Sequence, residues 1–499
     1  MSPRPLLVAV FLVVGVGPAS GQVIPIRTVP VFQSQQFDLF PSLTMAMGGV
    51  SLALQDSLLD PFTNPAKGVR IGSTRLFAAP GLYRVEERAG SGRTLPLGVL
   101  GRSGTWFGGL ALAVQGLALG ERFGFERAIA CPGCADRGLD PSRPDRAHEN
   151  RYVFAMVGKV FPGAGISVGG SVSWAGLNGI QSVDQLYAGA ARIKPDGDAV
   201  DLRVGALKAW GEGHSASALL VHNRFGVTQS VLYLDPIWDP GTQTQSQRAR
   251  IEDNVERSRT WGLQLEYVHP LGAPGWRMGW IATTNLKSHP EIPTYRIPDI
   301  VQSIWGDPGN SEAFNVGVGI ARMGGGSTLG ADLIYEPIWS HTWADAGRPT
   351  ETAQGTTIPP GGKTVENWFR FSNAVVRLGF SQEFSYDESK AMAIRLGLSA
   401  HSINYSMSQK DHVQATDRAL RAGWVEWTPT WGFSFRFPGW ELHYRGSVMG
   451  TEILKIRGDD VTVAEPGGGG NILAPITGSL NLNGLRVTTH QFSVSVPIW

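Results

Sequence analysis

At 499 residues the chain would make about three soluble domains by length alone, but barrels routinely exceed that rule. Charged residues are only 17% and Gly fills 64 positions, a balance that argues against disorder and against an ordinary soluble enzyme. With 43 basic and 42 acidic residues the formal charge is +1, so no positive field gathers nucleic acid, and that class of partner is excluded.

The first element is an address. Arg4, the apolar run Leu6 to Val16 and the small residues Ala19-Ser20-Gly21 predict a signal peptide over residues 1–21, with the mature chain beginning near Gln22. No later stretch reaches the roughly 18 consecutive apolar residues of a spanning helix, so a membrane location requires strands. A mean hydropathy of −0.06, with 16 Trp and 10 Tyr, suits strands that alternate lipid-facing and lumen-facing residues.

Residues 22–70 precede the first predicted strand. They hold Ala46-Met47-Gly48-Gly49-Val50-Ser51-Leu52-Ala53, then Asp56, then Asn64-Pro65-Ala66 and Gly68. The Gly pair permits close backbone packing, and Asn-Pro favours an abrupt turn. Exposed to water, so many small and apolar residues would be costly, whereas a wide barrel has a lumen to fill; the segment is expected to plug it.

Cys131-Pro132-Gly133-Cys134 lies in the polar stretch Glu121 to Asn150. In an exported protein this reads as a small loop disulfide, with a redox dithiol as the alternative. A zinc site would need two further ligands, and only His148 is near.

From Thr74 onward the dominant signal is period two. Trp261, Leu263, Leu265 and Tyr267 share one face while Gln264 and Glu266 share the other; Phe314 to Ile320, Met392 to Leu398 and Phe492 to Ile498 repeat the pattern. About sixteen such strands fit before the terminal Trp499. Short Gly/Pro connections, at Pro162–Gly165, Gly211–Gly213, Pro270–Gly275, Met323–Gly326 and Pro438–Gly439, alternate with long polar stretches. The long ones, expected as external loops, are Leu177–Ala199, Arg224–Ser258, Lys287–Glu312, Ser340–Val365, Ser406–Arg421 and Thr451–Gly484. This asymmetry predicts an all-β fold, a transmembrane antiparallel β-barrel of 14 to 16 strands over residues 71–499 behind an N-terminal plug.

The same phase turns Asp201, Arg203, Glu266, Arg395, His401, His443 and Arg445 toward the lumen, where charges of both signs are expected to pair with one another or with the plug. Gly165-Ile166-Ser167-Val168-Gly169 matches a nucleophile elbow by letters, but it lies within an alternating strand instead of a strand-to-helix turn. Gly362-Lys363-Thr364 lacks the Gly that a phosphate-binding loop requires at 357.

The residues Met47, Gly48, Gly49, Asp56, Asn64, Pro65, Ala66 and Gly68 together resemble the N-terminal hatch of the FadL-like superfamily of outer-membrane transporters, which includes PorV-type proteins. Lys67 interrupts the family's Asn-Pro-Ala-Gly. The resemblance implies a plugged barrel, fourteen-stranded by family precedent, in the bacterial outer membrane. Its lipid would be one partner and a small hydrophobic molecule the ligand, diffusing without a cofactor. The alternative is a PorV-like secretion or surface-anchoring role with a secretion-system protein as partner. Neither reading is enzymatic.

Overall fold

A computed structural model describes residues 23–27, 36–86, 90–119, 148–181, 190–211, 213–239, 241, 243–289, 295–296, 303–304, 309–387, 389–458 and 486–498. The expected signal peptide, the Cys131/Cys134 pair and Trp499 lie outside them.

Sixteen antiparallel strands close into one barrel. The first, β1, comes in two pieces, Arg75–Ala78 and Gly81–Val85. It is followed by β2 (Gly90–Ser103), β3 (Trp106–Leu119), β4 (His148–Phe161), β5 (Ile166–Leu177) and β6 (Ala190–Trp210). Then come β7 (His214–Asp239), β8 (Thr244–Pro270), β9 (Trp276–His289), β10 (Gly309–Gly324) and β11 (Ser327–Asp345). The wall ends with β12 (Lys363–Ser385), β13 (Ala391–Asp411), β14 (Thr416–Phe437), β15 (Trp440–Gly458) and β16 (Arg486–Pro497). Leu76 of β1 stands opposite Val99 of β2 on one side and Val496 of β16 on the other, so the wall has no open edge. The count is therefore sixteen, not fourteen, and no strand is borrowed from the N-terminal segment.

Alternation decides which face is which. On β3, Leu110, Leu112 and Val114 are about half exposed outward while Ala111, Ala113 and Gln115 between them are buried. The same phase exposes Leu202 and Val204, Val316 and Ile320, and Leu378 and Phe380. Trp106, Trp210 and Trp440 rim this apolar surface at the short-turn end, with Trp174, Trp339, Trp368 and Trp427 toward the other. A closed barrel with an apolar outer belt and aromatic rims satisfies every backbone group internally, as the hydrocarbon layer demands, and is the architecture of a bacterial outer-membrane protein.

The five short connections fall where the sequence put them, and the even strand count leaves both ends of the wall on that side. The long polar stretches are corrected in part. Arg224–Ser258 is a strand hairpin whose β7 and β8 stay in register out to Asp239 and Thr244, and Ser406–Arg421 is a hairpin whose β13 and β14 stay paired to Asp411 and Thr416. In the β7–β8 hairpin the ladder continues although strict alternation lapses, with Val227, Val231 and Leu232 all buried.

Candidate functional site in the barrel lumen

Residues 36–71 lie on the inner face of the wall, and the wall receives them on glycines. Gly169, Gly205, Gly279, Gly319, Gly330, Gly379, Gly397 and Gly432 all stand in the inward phase, and a side chain at any of them would strike this segment. A Cβ at Gly169 would sit 2.7 Å from the Pro65 carbonyl, one at Gly330 2.7 Å from Val50, and one at Gly432 2.7 Å from Ala46. The Gly-rich composition thus has a packing reason: backbone can lie against backbone only where side chains are missing.

Within the segment a 3-10 turn, Thr44–Met47, ends at Gly48 with φ of 71°, a left-handed conformation that Gly adopts without strain. Asp56 organises this turn. Its Oδ2 accepts from Ser42 Oγ at 2.6 Å, Leu43 N at 2.8 Å, Thr44 N at 2.9 Å and Thr44 Oγ1 at 3.0 Å, and its Oδ1 accepts from Leu58 N and Leu59 N. One carboxylate therefore satisfies the amides of two loops at once. Asn64 caps the next turn, Pro65–Arg70, its Oδ1 accepting from Ala66 N at 3.0 Å.

The wall answers with polar groups at matching heights. Arg203 pairs with Asp201 and donates to the carbonyls of Phe62 and Thr63 at 3.2 and 2.8 Å. Ser167 donates to the Ala66 carbonyl at 2.9 Å, which makes it a peg for this segment. Lys67, the residue that breaks the family motif, reaches Glu266 on β8 at 2.9 Å and Asp60 at 3.8 Å. Arg445 pairs with Asp38 at 3.6 Å, and Arg395 donates to Ser434 at 3.0 Å. His443 sits 3.5 Å from Glu441.

His401 belongs to a separate cluster. Arg27 makes a two-pronged contact with Glu426 at 2.7 and 2.9 Å and lies 3.2 Å from His401 Nδ1, while the other ring nitrogen is 3.2 Å from Glu336. All seven lumen candidates thus face inward. Arg203, Glu266 and Arg445 touch residues 36–71, and Asp201 pairs with Arg203; His401 meets Arg27; Arg395 donates to Ser434 and His443 lies beside Glu441, both on the wall.

Between the segment and β3 to β7 lies a cavity of about 90 Å³. Phe37, Phe40, Phe62, Tyr152 and Phe154 line it, with Ala113, Ala175 and Ala199 opposite and Asp201, Arg203, Asn223, Asp38 and Arg445 at its polar margin. Phe40 stacks on Phe62 with ring centres 3.8 Å apart, and Phe154 meets both. Sequence reading missed the aromatic lining. The signal available was an inward-phase Tyr152 and Phe154 on β4 facing inward alanines of neighbouring strands.

No protein-family model and no curated protein matches the chain. Among solved structures it is similar to the toluene transporter TbuX of Ralstonia pickettii (10% identity, 92% of this chain and 98% of that one, TM-score 0.40). It is also similar to the toluene transporter TodX of Pseudomonas putida (10%, 91% and 97%, 0.39) and to a FadL homologue of Pseudomonas aeruginosa (9%, 92% and 99%, 0.43). At these identities and scores the likenesses decide nothing about substrate, which rests on the chain's own residues.

Proposed function

We propose that the chain is an outer-membrane transporter that passes small, largely apolar molecules through its lumen, with residues 36–71 acting as the hatch. The observation that carries this reading is the aromatic-lined cavity between the segment and the wall. An apolar pocket with a few convergent polar groups is how binding sites for small molecules are built. A barrel serving only as an anchor has no need of one.

A second feature supports an exit from that cavity. The first strand is interrupted at Ala79 and Pro80, and Pro cannot donate to the ladder. Outside this break an apolar groove is lined by Leu76, Leu97, Leu110, Leu112, Val494 and Val496, and it shares Ala111 and Leu112 with the inner cavity. One strand's thickness separates the two spaces. Passage by diffusion requires no cofactor, and a secretion or anchoring role would draw on the outer ends, parts of which lie outside the described residues.

Liposomes carrying the purified protein should take up toluene faster than empty liposomes, and deletion of residues 36–71 should raise ion conductance in planar bilayers. Equal uptake with and without folded protein would refute transport. Equal conductance before and after deletion, from a barrel that still shifts on heating in gel electrophoresis, would refute the hatch.

A further inference from the structure

The cavity's polar margin says more about the cargo than its apolar lining does. Resting on the transport reading above, we propose that the preferred cargo is a neutral aromatic alcohol, of the phenol class, whose hydroxyl is met by Asn223 and Arg445.

The body of the site suits one ring. Its free volume of about 90 Å³ leaves room for roughly one ring and a small substituent, bounded by Phe40, Phe62 and Phe154. Aromatic walls favour an aromatic occupant by edge and offset contacts.

Two buried polar atoms on the lining have no partner. Asn223 is 3% exposed; its Nδ2 donates to Asp201 Oδ2 at 3.4 Å, which fixes the amide's orientation and leaves Oδ1 without a donor. Arg445 meets Asp38 through Nη2 at 3.6 Å, while its Nε has no acceptor. Two residues of the lining thus carry one acceptor and one donor that no protein group answers. A hydroxyl both donates and accepts, so it can answer either atom. A hydrocarbon answers neither.

A carboxylate is the remaining candidate, because Arg residues often bind one. Here the charges on the lining are Asp38 and Asp201 against Arg203 and Arg445, two of each sign, and the pairs Asp201–Arg203 and Asp38–Arg445 are formed. An anion would enter uncompensated beside two carboxylates and would turn lone pairs toward Asn223 Oδ1. The balance selects a neutral molecule.

Three compounds of one shape test this: p-cresol, p-xylene and p-toluate, titrated calorimetrically into the full-length protein in detergent. The expected order is p-cresol about tenfold tighter than p-xylene, with p-toluate weakest. Asn223→Leu removes the acceptor, and Arg445→Lys removes the Nε donor while keeping a cation for Asp38. Each should bring p-cresol toward p-xylene and leave p-xylene unchanged, in protein that keeps its heat-modifiable folded form. Equal binding of p-cresol and p-xylene by the unaltered protein, tighter p-toluate, or a preference that survives both substitutions overturns the inference. If p-xylene binds and crosses liposomes without any p-cresol preference, only this inference fails; if none of the three binds or crosses, the transport reading falls with it.

Discussion

The backbone N–H of Gly48 donates to the Thr430 hydroxyl at 2.9 Å, and that hydroxyl donates onward to the Ala46 carbonyl at 3.0 Å. A single wall side chain thus ties both ends of the tight turn to β14. Valine has the same shape without the hydroxyl. Thr430→Val should leave a buried N–H and a buried carbonyl unmet, at about 1–3 kcal/mol each. The cost falls on the segment, since the wall's ladder does not use the hydroxyl. Hydrogen exchange at residues 44–50 should accelerate while the barrel's own heat-modifiable migration is unchanged; unaltered exchange would mean the contact is dispensable.

Lys67 and Glu266 form the other principal tie. Glu266 also accepts from Ser217 at 2.8 Å and Gln264 at 2.7 Å, so the wall holds the carboxylate in place with or without its cation. Lys67→Met leaves that partly buried carboxylate without its ion-pair partner, at a cost below the roughly 3–5 kcal/mol of a fully buried pair. The double variant Lys67→Met/Glu266→Gln should recover most of the loss, because the orphaned charge is removed. Protease cleavage within residues 56–71 reads the difference: a double variant as labile as the single one would show that the pair acts by attraction alone.

Glu366 lies beyond Trp368 at the outer end of β12, above the apolar belt. Burial raises its pKa, but hydrogen bonds from Lys363, His412 and His341 outweigh burial and push it down to about 2. These contacts, at 2.6, 3.0 and 2.9 Å, join β11, β12 and the β13–β14 turn into one clasp, with Lys410 and Asp411 at the adjacent register positions. A depressed carboxylate contributes stability above its ordinary value and loses it as pH falls toward the folded one. Cleavage of the 346–362 connection by an acid-active protease should therefore rise as pH drops from about 4.5 to about 2. In Glu366→Gln that acid-dependent rise should vanish; a rise of the same size would place the sensitivity elsewhere.

Leu396 is 53% exposed on the outer face of β13, with Arg395 and Gly397 turned inward beside it. Leu396→Arg should destabilise the folded barrel in lipid by about 2–4 kcal/mol if that site is near the bilayer midplane. Urea refolding into vesicles measures it. An unchanged midpoint would mean that this face does not meet lipid.

Chain order and local chemistry were legible without coordinates. Alternation along each strand fixed its faces, because the pleat sends successive side chains to opposite sides, and Gly/Pro pairs fixed the short turns. That rule alone assigned Asp201, Glu266, Arg395 and Arg445 to the inward phase. It could not say where the ladder ends, since β7 and β8 stay paired out to Asp239 and Thr244 through a stretch that no longer alternates. Partners were beyond its reach as well: Gly48 meets Thr430, Lys67 meets Glu266 and Asn223 shares a cavity with Arg445 across hundreds of residues. Such contacts depend on how many strands close the wall and at what height each crosses the lumen, quantities set by the whole sheet. Sequence therefore determined a closed, lipid-facing wall with a Gly-rich segment before it; only the tertiary structure decided which glycines seat that segment and which polar atoms are left open to a ligand.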